Sequence, residues 1–158
     1  MKNEKITPVE VKVFLDTSAL FAGIWSPTGG ARMILKLGEV RAGKLLVSGQ
    51  VLKEIEGVLR KKSPDNLGYL TLLLDRSRTN VASDPSEDML KKCADVIPHK
   101  GDAKVIGSAW ESKADYFVTL DRKHFLDNQL LREKIPLHIG TPGDFLDWFR
   151  TRLHRTLQ

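Results

Sequence analysis

The 158-residue chain has one cysteine, Cys93. A single thiol excludes an internal disulfide and fits a reducing compartment. No C-x-x-C pair and no Cys/His cluster is present, so a structural zinc site is not expected. Nowhere do 18 apolar residues run together, and the opening M-K-N-E-K-I-T-P-V-E has no apolar segment of signal-peptide length. Neither a membrane span nor a secretory leader is expected, and the reading is a cytoplasmic protein. No G-x-x-x-x-G-K-[S/T] loop occurs, which removes P-loop nucleotide hydrolysis. No solenoid-type repeat is visible either. The charge excess is modest, 25 Lys+Arg against 20 Asp+Glu. It permits a polyanionic partner without demanding one.

What remains is a globular composition, 41% hydrophobic and 28% charged, of a length that buries a core in one domain. Residues 1–10 read as a flexible leader and 11–158 as a single domain. The chain is organised around V-K-V-F-L-D-T-S-A-L, Val11 to Leu20. Val11–Leu15 suit a strand buried in a sheet. Asp16, Thr17 and Ser18 then open a helix to about Ile24, with Trp25 packing at its end. An acid that ends a strand and starts a helix lies at the strand's carboxyl end, where open α/β sheets bind ligands. Helix capping alone is the competing account of Asp16.

Further along, Met33, Ile34, Leu37 and Val40 predict a second helix from Ala31 to about Ala42, and K-L-L-V predicts a second strand. Ser48 is placed to cap a helix from Gly49 to Lys62, striped by Val51, Leu52, Ile55, Val58 and Leu59. Ser63-Pro64 stops it, and a helix from Asp65 to about Arg78 follows. The 79–101 stretch reads as a long connection containing a helix to Cys93 and a short strand at Val96-Ile97. A helix from Ala103 to Lys113 comes next, then the strand Asp115–Asp121, which again ends in an acid. Leu137–Ile139 is the last strand, and Thr141-Pro142 begins the last helix. Strands alternating with helices imply a three-layer α/β/α sandwich with a mostly parallel central sheet.

Four acids occupy comparable places: Asp16, Glu54, Asp102 and Asp121. Glu54 lies beside an apolar stripe with Val58, not a lysine, at i+4, so it needs another partner. Glu56 faces the opposite side and reads as a solvated charge. If the four met in one crevice, they would take up protons unless cations neutralised them. Two Mg²⁺ or Mn²⁺ ions would balance the four negative charges, and one or two such ions per site would supply what phosphodiester hydrolysis requires.

The ordered set strand-D-T-S, S-x-x-V-L-x-E-I, D-A-K-V-I-x-x-A and A-D-Y-F-V-T-L-D resembles the PIN-domain ribonucleases, over roughly residues 10–150. Within them, it resembles the short VapC-type toxins and their stand-alone prokaryotic relatives. The resemblance implies metal-dependent endonucleolytic cleavage of RNA by Asp16, Glu54, Asp102 and Asp121. In that picture Asp16, Asp102 and Asp121 ligate metal directly, while Glu54 orients water or holds a second ion. Thr17, Ser18 and Thr119 would orient those carboxylates, with capping and strand propensity as the bland account. The implied partners are an RNA substrate, a small antitoxin protein and a second copy of the chain. A non-toxin RNA-processing nuclease and a catalytically silent RNA- or protein-binding module are the alternatives. Aspartyl phosphotransfer fits poorly, because the acid pairs that phosphatases and receiver domains place at the first strand are absent around Asp16.

Other residues receive plainer readings. Arg60, Lys61, Lys62, Lys100, Arg122 and Lys123 could meet phosphates or simply face solvent. Asp115 reads as a turn residue, and Asp127, Asp144 and Asp147 as surface or capping acids. His99 and His124 lie near the proposed edge, without the spacing of a ligand pair. Trp25, Trp110 and Trp148 read as core or interface.

Overall fold

The computed structural model describes residues 10–157, so all but the last residue of the expected leader lies outside it. Five strands, Lys12–Leu15 (β1), Lys44–Ser48 (β2), Asn80–Ala82 (β3), Tyr116–Val118 (β4) and His138–Gly140 (β5), form one sheet in the order β3-β2-β1-β4-β5. Every neighbouring pair is parallel, so the sheet is wholly parallel, in an α/β/α sandwich.

Sequence explains the centre. Val13, Phe14 and Leu15 of β1 and Tyr116, Phe117 and Val118 of β4 are all buried, as expected when helices cover both faces of a parallel sheet. Phe14 stacks on Phe117 with ring centroids 5.7 Å apart, and Phe125 closes on Phe117 at 4.9 Å. The helices between the strands are Thr17–Trp25 (α1), Gly30–Glu39 (α2), Gly49–Lys62 (α3), Leu67–Arg76 (α4), Glu87–Ala94 (α5), Lys100–Glu111 (α6), Gln129–Lys134 (α7) and Pro142–Leu157 (α8). Ser48 caps α3 by accepting from Val51 N–H at 3.2 Å, at the expected bounds.

Several expectations are corrected. The 79–101 stretch holds the edge strand β3 as well as α5. Asn80 and Val81 are exposed, so that strand lacks the alternation that would announce it. Val96-Ile97 is not a strand: both amides donate to the Cys93 carbonyl, which tucks the pair into the core as an extension of the α5 turn. Residues 122–134, unassigned from the sequence, form a single π-helical turn, Arg122–Leu126, and then α7. The second helix ends at Glu39 and buries Ala31, Ile34, Leu35 and Gly38, leaving Met33 and Val40 exposed. The rotation follows from Gly38, which lets the helix approach the Ser77 carbonyl and Leu45 more closely than any side chain would allow. Trp25 is not packed into the core. It is 62% exposed and stacks only on Phe21. Trp110 and Trp148 are partly buried against the core as expected. Among the described residues, no helix is long and apolar enough to cross a membrane.

Candidate functional site

The strand order places successive connections on one side of β1 as far as β3, then returns the chain to the other side at β4. The carboxyl ends of β1 and β4 therefore flank the point where the winding reverses, which opens a crevice there. Asp16 follows β1, and Asp121 lies three residues beyond β4.

Asp16 occupies the N-cap position of α1, yet its carboxylate does not cap the helix through a hydrogen bond to the first turn's inner amides. Oδ2 instead accepts from Thr119 Oγ1 at 2.8 Å and from Ser18 Oγ at 3.1 Å. The same two hydroxyls hold the strand end opposite: Thr119 Oγ1 accepts from Asp121 N–H at 3.0 Å, and Ser18 Oγ from Leu120 N–H at 2.9 Å. Asp16 is only 5% exposed. Burial pushes its pKa up to about 6, helped by the nearby Glu54 charge, although the bonds from Thr119, Thr17 and Ser18 act in the opposite sense.

Glu54 comes from the second turn of α3. Thr17 Oγ1 donates to its Oε2 at 2.7 Å, and Gln50 Nε2 to its Oε1 at 3.0 Å. These are the partners that its place beside the apolar stripe demanded. The start of α6 reaches it as well, since a methyl group on Gly101 would lie 3.4 Å from Glu54 Oε1.

Asp102 stands in the first turn of α6, where His99 Nδ1 accepts from its backbone N–H at 3.3 Å. Its Oδ2 is buried with no hydrogen-bond partner among the described residues. Burial raises the Asp102 pKa, opposed by His124 and His99 and reinforced by the Asp121 and Glu54 charges. Asp121 caps the π-helical turn: Oδ1 accepts from His124 N–H at 3.1 Å, and Oδ2 lies 2.8 Å from His124 Nδ1. That bond raises the basicity of His124.

One donor atom each from Asp102, Asp121 and His124 lie within 4.8 Å of one another. Asp16 and Glu54 stand outside this compact trio, joined to it through Thr119 and through the approach of Gly101. A divalent cation suits the donor set. Carboxylate oxygens are hard ligands, and an unpartnered buried oxygen gains most from a cation. His124, expected near this edge but not among the ligands, stands with the acids. The pair Asp121-x-x-His124 was the available signal, because one helical turn brings i and i+3 together.

The basic residues divide. Lys100 precedes Asp102 in α6, and Arg122 and Lys123 directly follow Asp121, all beside the acids. Arg60 and Lys61 lie about 9 Å further along α3 than Glu54, at 1.5 Å rise per residue, towards the opposite end of the sheet. Asp115 is structural: its Oδ2 accepts from Lys12 N–H at 2.8 Å. Asp144 and Thr141 cap α8 reciprocally, while Asp127 pairs with Arg122 and Asp147 with Arg150. A cavity of about 730 Å³ opens at the amino ends of β1 to β3, between Val11, Leu37 and Phe149. It lies away from the acids, and the chemistry follows the carboxylates rather than this volume.

A family model described as the PIN domain matches residues 12–123. That span covers most of the chain and contains Asp16, Glu54, Asp102 and Asp121. The chain belongs to the PIN-domain family. No curated protein sequence matches it. Among solved structures this PIN domain is similar to VapBC2 from Rickettsia felis, bound to a DNA fragment from their promoter (18% identity, 83% of this chain and 98% of that one, TM-score 0.61). It is also similar to PAE2754 from Pyrobaculum aerophilum (20% identity, 89% and 90% covered, TM-score 0.62). DNA-bound VapBC from Salmonella typhimurium gives 19% identity, 84% and 98% coverage and a TM-score of 0.62. At these identities the structural matches speak for the shared fold.

Proposed function

We propose that this PIN domain is a metal-dependent endoribonuclease of the VapC type, the toxin half of a toxin–antitoxin pair. The observation that carries the reading is the gathering of acids from the end of β1, α3, α6 and beyond β4 around the reversal point, with a buried Asp102 oxygen that has no hydrogen-bond partner among the described residues. Family membership and the VapBC neighbours support it.

In this reading Asp16, Asp102 and Asp121 hold one or two Mg²⁺ or Mn²⁺ ions, with Glu54 completing the set. When bound, such ions activate water and stabilise charge on the phosphate and leaving oxygens. The chain's own residues do the rest. Thr17 fixes the Glu54 carboxylate, and Ser18 and Thr119 fix Asp16, so that neither group spends its lone pairs at random. Lys100, Arg122 and Lys123 stand at the rim, where phosphates of a single strand would pass. An antitoxin of complementary shape would lie across the acidic cleft or a helical flank.

The test is to sequence RNA ends after induced expression of the wild-type protein and of Asp102→Asn. New 5′ ends with the wild type and none with the variant are expected, together with relief by a small neighbouring reading frame. Identical RNA ends from both proteins would sink the proposal.

A further inference from the structure

We infer that His124 is a direct metal ligand beside Asp102 and Asp121, and that its nitrogen tunes this centre towards Mn²⁺ over Mg²⁺. The inference rests on the metal-dependent reading above. It concerns which atoms of this chain take the ion.

Geometry separates His124 from the other histidine at the edge. His124 Nδ1 lies 2.8 Å from Asp121 Oδ2 and 3.7 Å from Asp102 Oδ2. Ligand distances of 2.0–2.3 Å set neighbouring ligands of an octahedral ion about 3 Å apart. The nitrogen stands at that spacing from the Asp121 oxygen and somewhat beyond it from the Asp102 oxygen, and one donor atom of each of the three residues lies within 4.8 Å of the others. The 2.8 Å contact requires something positive between nitrogen and oxygen, either a proton or a cation. His99 Nδ1 also lies 3.4 Å from Asp102 Oδ2, but its lone pair already accepts from Asp102 N–H at 3.3 Å, its side chain is 65% exposed, and only His124 joins Asp121 in the compact trio.

Local structure keeps His124 in place. Its backbone N–H is held by Asp121 Oδ1 within the π-helical turn, and Asn128 Nδ2 donates to its carbonyl at 3.3 Å. Turns of this type recur at functional sites because they re-aim side chains. The Asp102 oxygen without a hydrogen bond among the described residues lies between the two rings, 3.4 Å from His99 Nδ1 and 3.7 Å from His124 Nδ1. An all-oxygen set suits Mg²⁺, whereas an imidazole among the ligands favours first-row transition ions.

The experiment is pulsed electron paramagnetic resonance on the full-length protein loaded with Mn²⁺. Free Mn²⁺ is titrated in parallel, and Mg²⁺ competition gives the selectivity. A nitrogen coupling of directly bound imidazole is expected, and its frequency should change when histidine is labelled with ¹⁵N. His124→Phe and His124→Ala should each abolish the coupling and lower the Mn²⁺ over Mg²⁺ preference by about tenfold. His99→Phe should keep it. If bound Mn²⁺ shows no nitrogen coupling, or the coupling survives both His124 substitutions, the inference fails while the metal reading stands. If wild-type protein binds no Mn²⁺ at all, both fall.

Discussion

Asp16→Asn is expected to lower RNA cleavage by roughly 10²–10³-fold, the scale of removing one preorganised electrostatic group. It should also make the metal-free protein more stable at neutral pH. Both effects follow from one placement. Asp16 is nearly inaccessible, and burial raises its pKa from 3.8 to about 6. A carboxyl with a raised native pKa gives the fold its full stability below the unfolded value, and that stability is lost as pH rises through the native value. Between pH 4 and pH 7 the charged Asp16 therefore costs the metal-free fold roughly 3 kcal/mol, at about 1.4 kcal/mol per tenfold. An asparagine keeps an oxygen for Ser18 and Thr119 and never acquires the charge. Denaturant unfolding of both proteins in EDTA checks the claim. The variant should be the more stable at pH 7.5, and the difference should vanish near pH 4. Equal stability at pH 7.5 would mean that the wild-type carboxylate is under no strain there.

Divalent metal should have the second large effect. At a hundredfold excess over its dissociation constant, a bound ion stabilises the fold by about 2.7 kcal/mol. For a domain of this size that corresponds to a melting temperature higher by about 5–10 °C. The sign of the pH dependence is fixed by Asp16 and Asp102, whose pKa values burial raises. Protons compete with the cation for these oxygens. The melting temperature in EDTA should therefore fall as pH rises from 4 towards 8. His124, whose pKa the bond to Asp121 raises, contributes in the same direction. Added Mn²⁺ should restore the stability at pH 8 and do little at pH 4.5. Thermal scans across that range read it directly. A metal effect of equal size at both ends would place the binding on groups that do not titrate there.

How much of this was legible in the residue string depends on the element. Asp16, Asp102 and Asp121 were visible because each follows or opens an element, and Glu54 because it stands beside an apolar stripe. V-K-V-F-L-D and Y-F-V-T-L-D are apolar strands that stop at a carboxylate, and S-G-Q-V-L-K-E puts Glu54 within reach of a capped helix start. The hydroxyl frame was half visible. The family resemblance implies that Thr119 orients a carboxylate, but that it serves both Asp16 and Asp121 follows only from the parallel register of β1 and β4. Long-range contacts of this kind, 103 residues apart for Asp16 and Thr119, leave no periodic trace. β3 escaped because an exposed three-residue edge strand has neither alternation nor an apolar run. The π-helical turn escaped because R-K-H-F-L reads as a polar loop, and its formation depends on Asp121 capping it. For the same reason His124 looked like an isolated histidine. Helix α2 was found, yet its buried face was misread, since Gly38 and Ala31 bury by fitting closely rather than by being large.

The claim beneath all of this is that the carboxylates at the reversal point form a seat for a divalent cation. Diffraction from crystals grown with Mn²⁺, measured near the manganese edge, tests it most directly. The account predicts an anomalous peak between the carboxylates of Asp102 and Asp121, at the carboxyl ends of β1 and β4. Well-ordered crystals at saturating Mn²⁺ with no peak there, or with manganese bound only elsewhere on the surface, would contradict it.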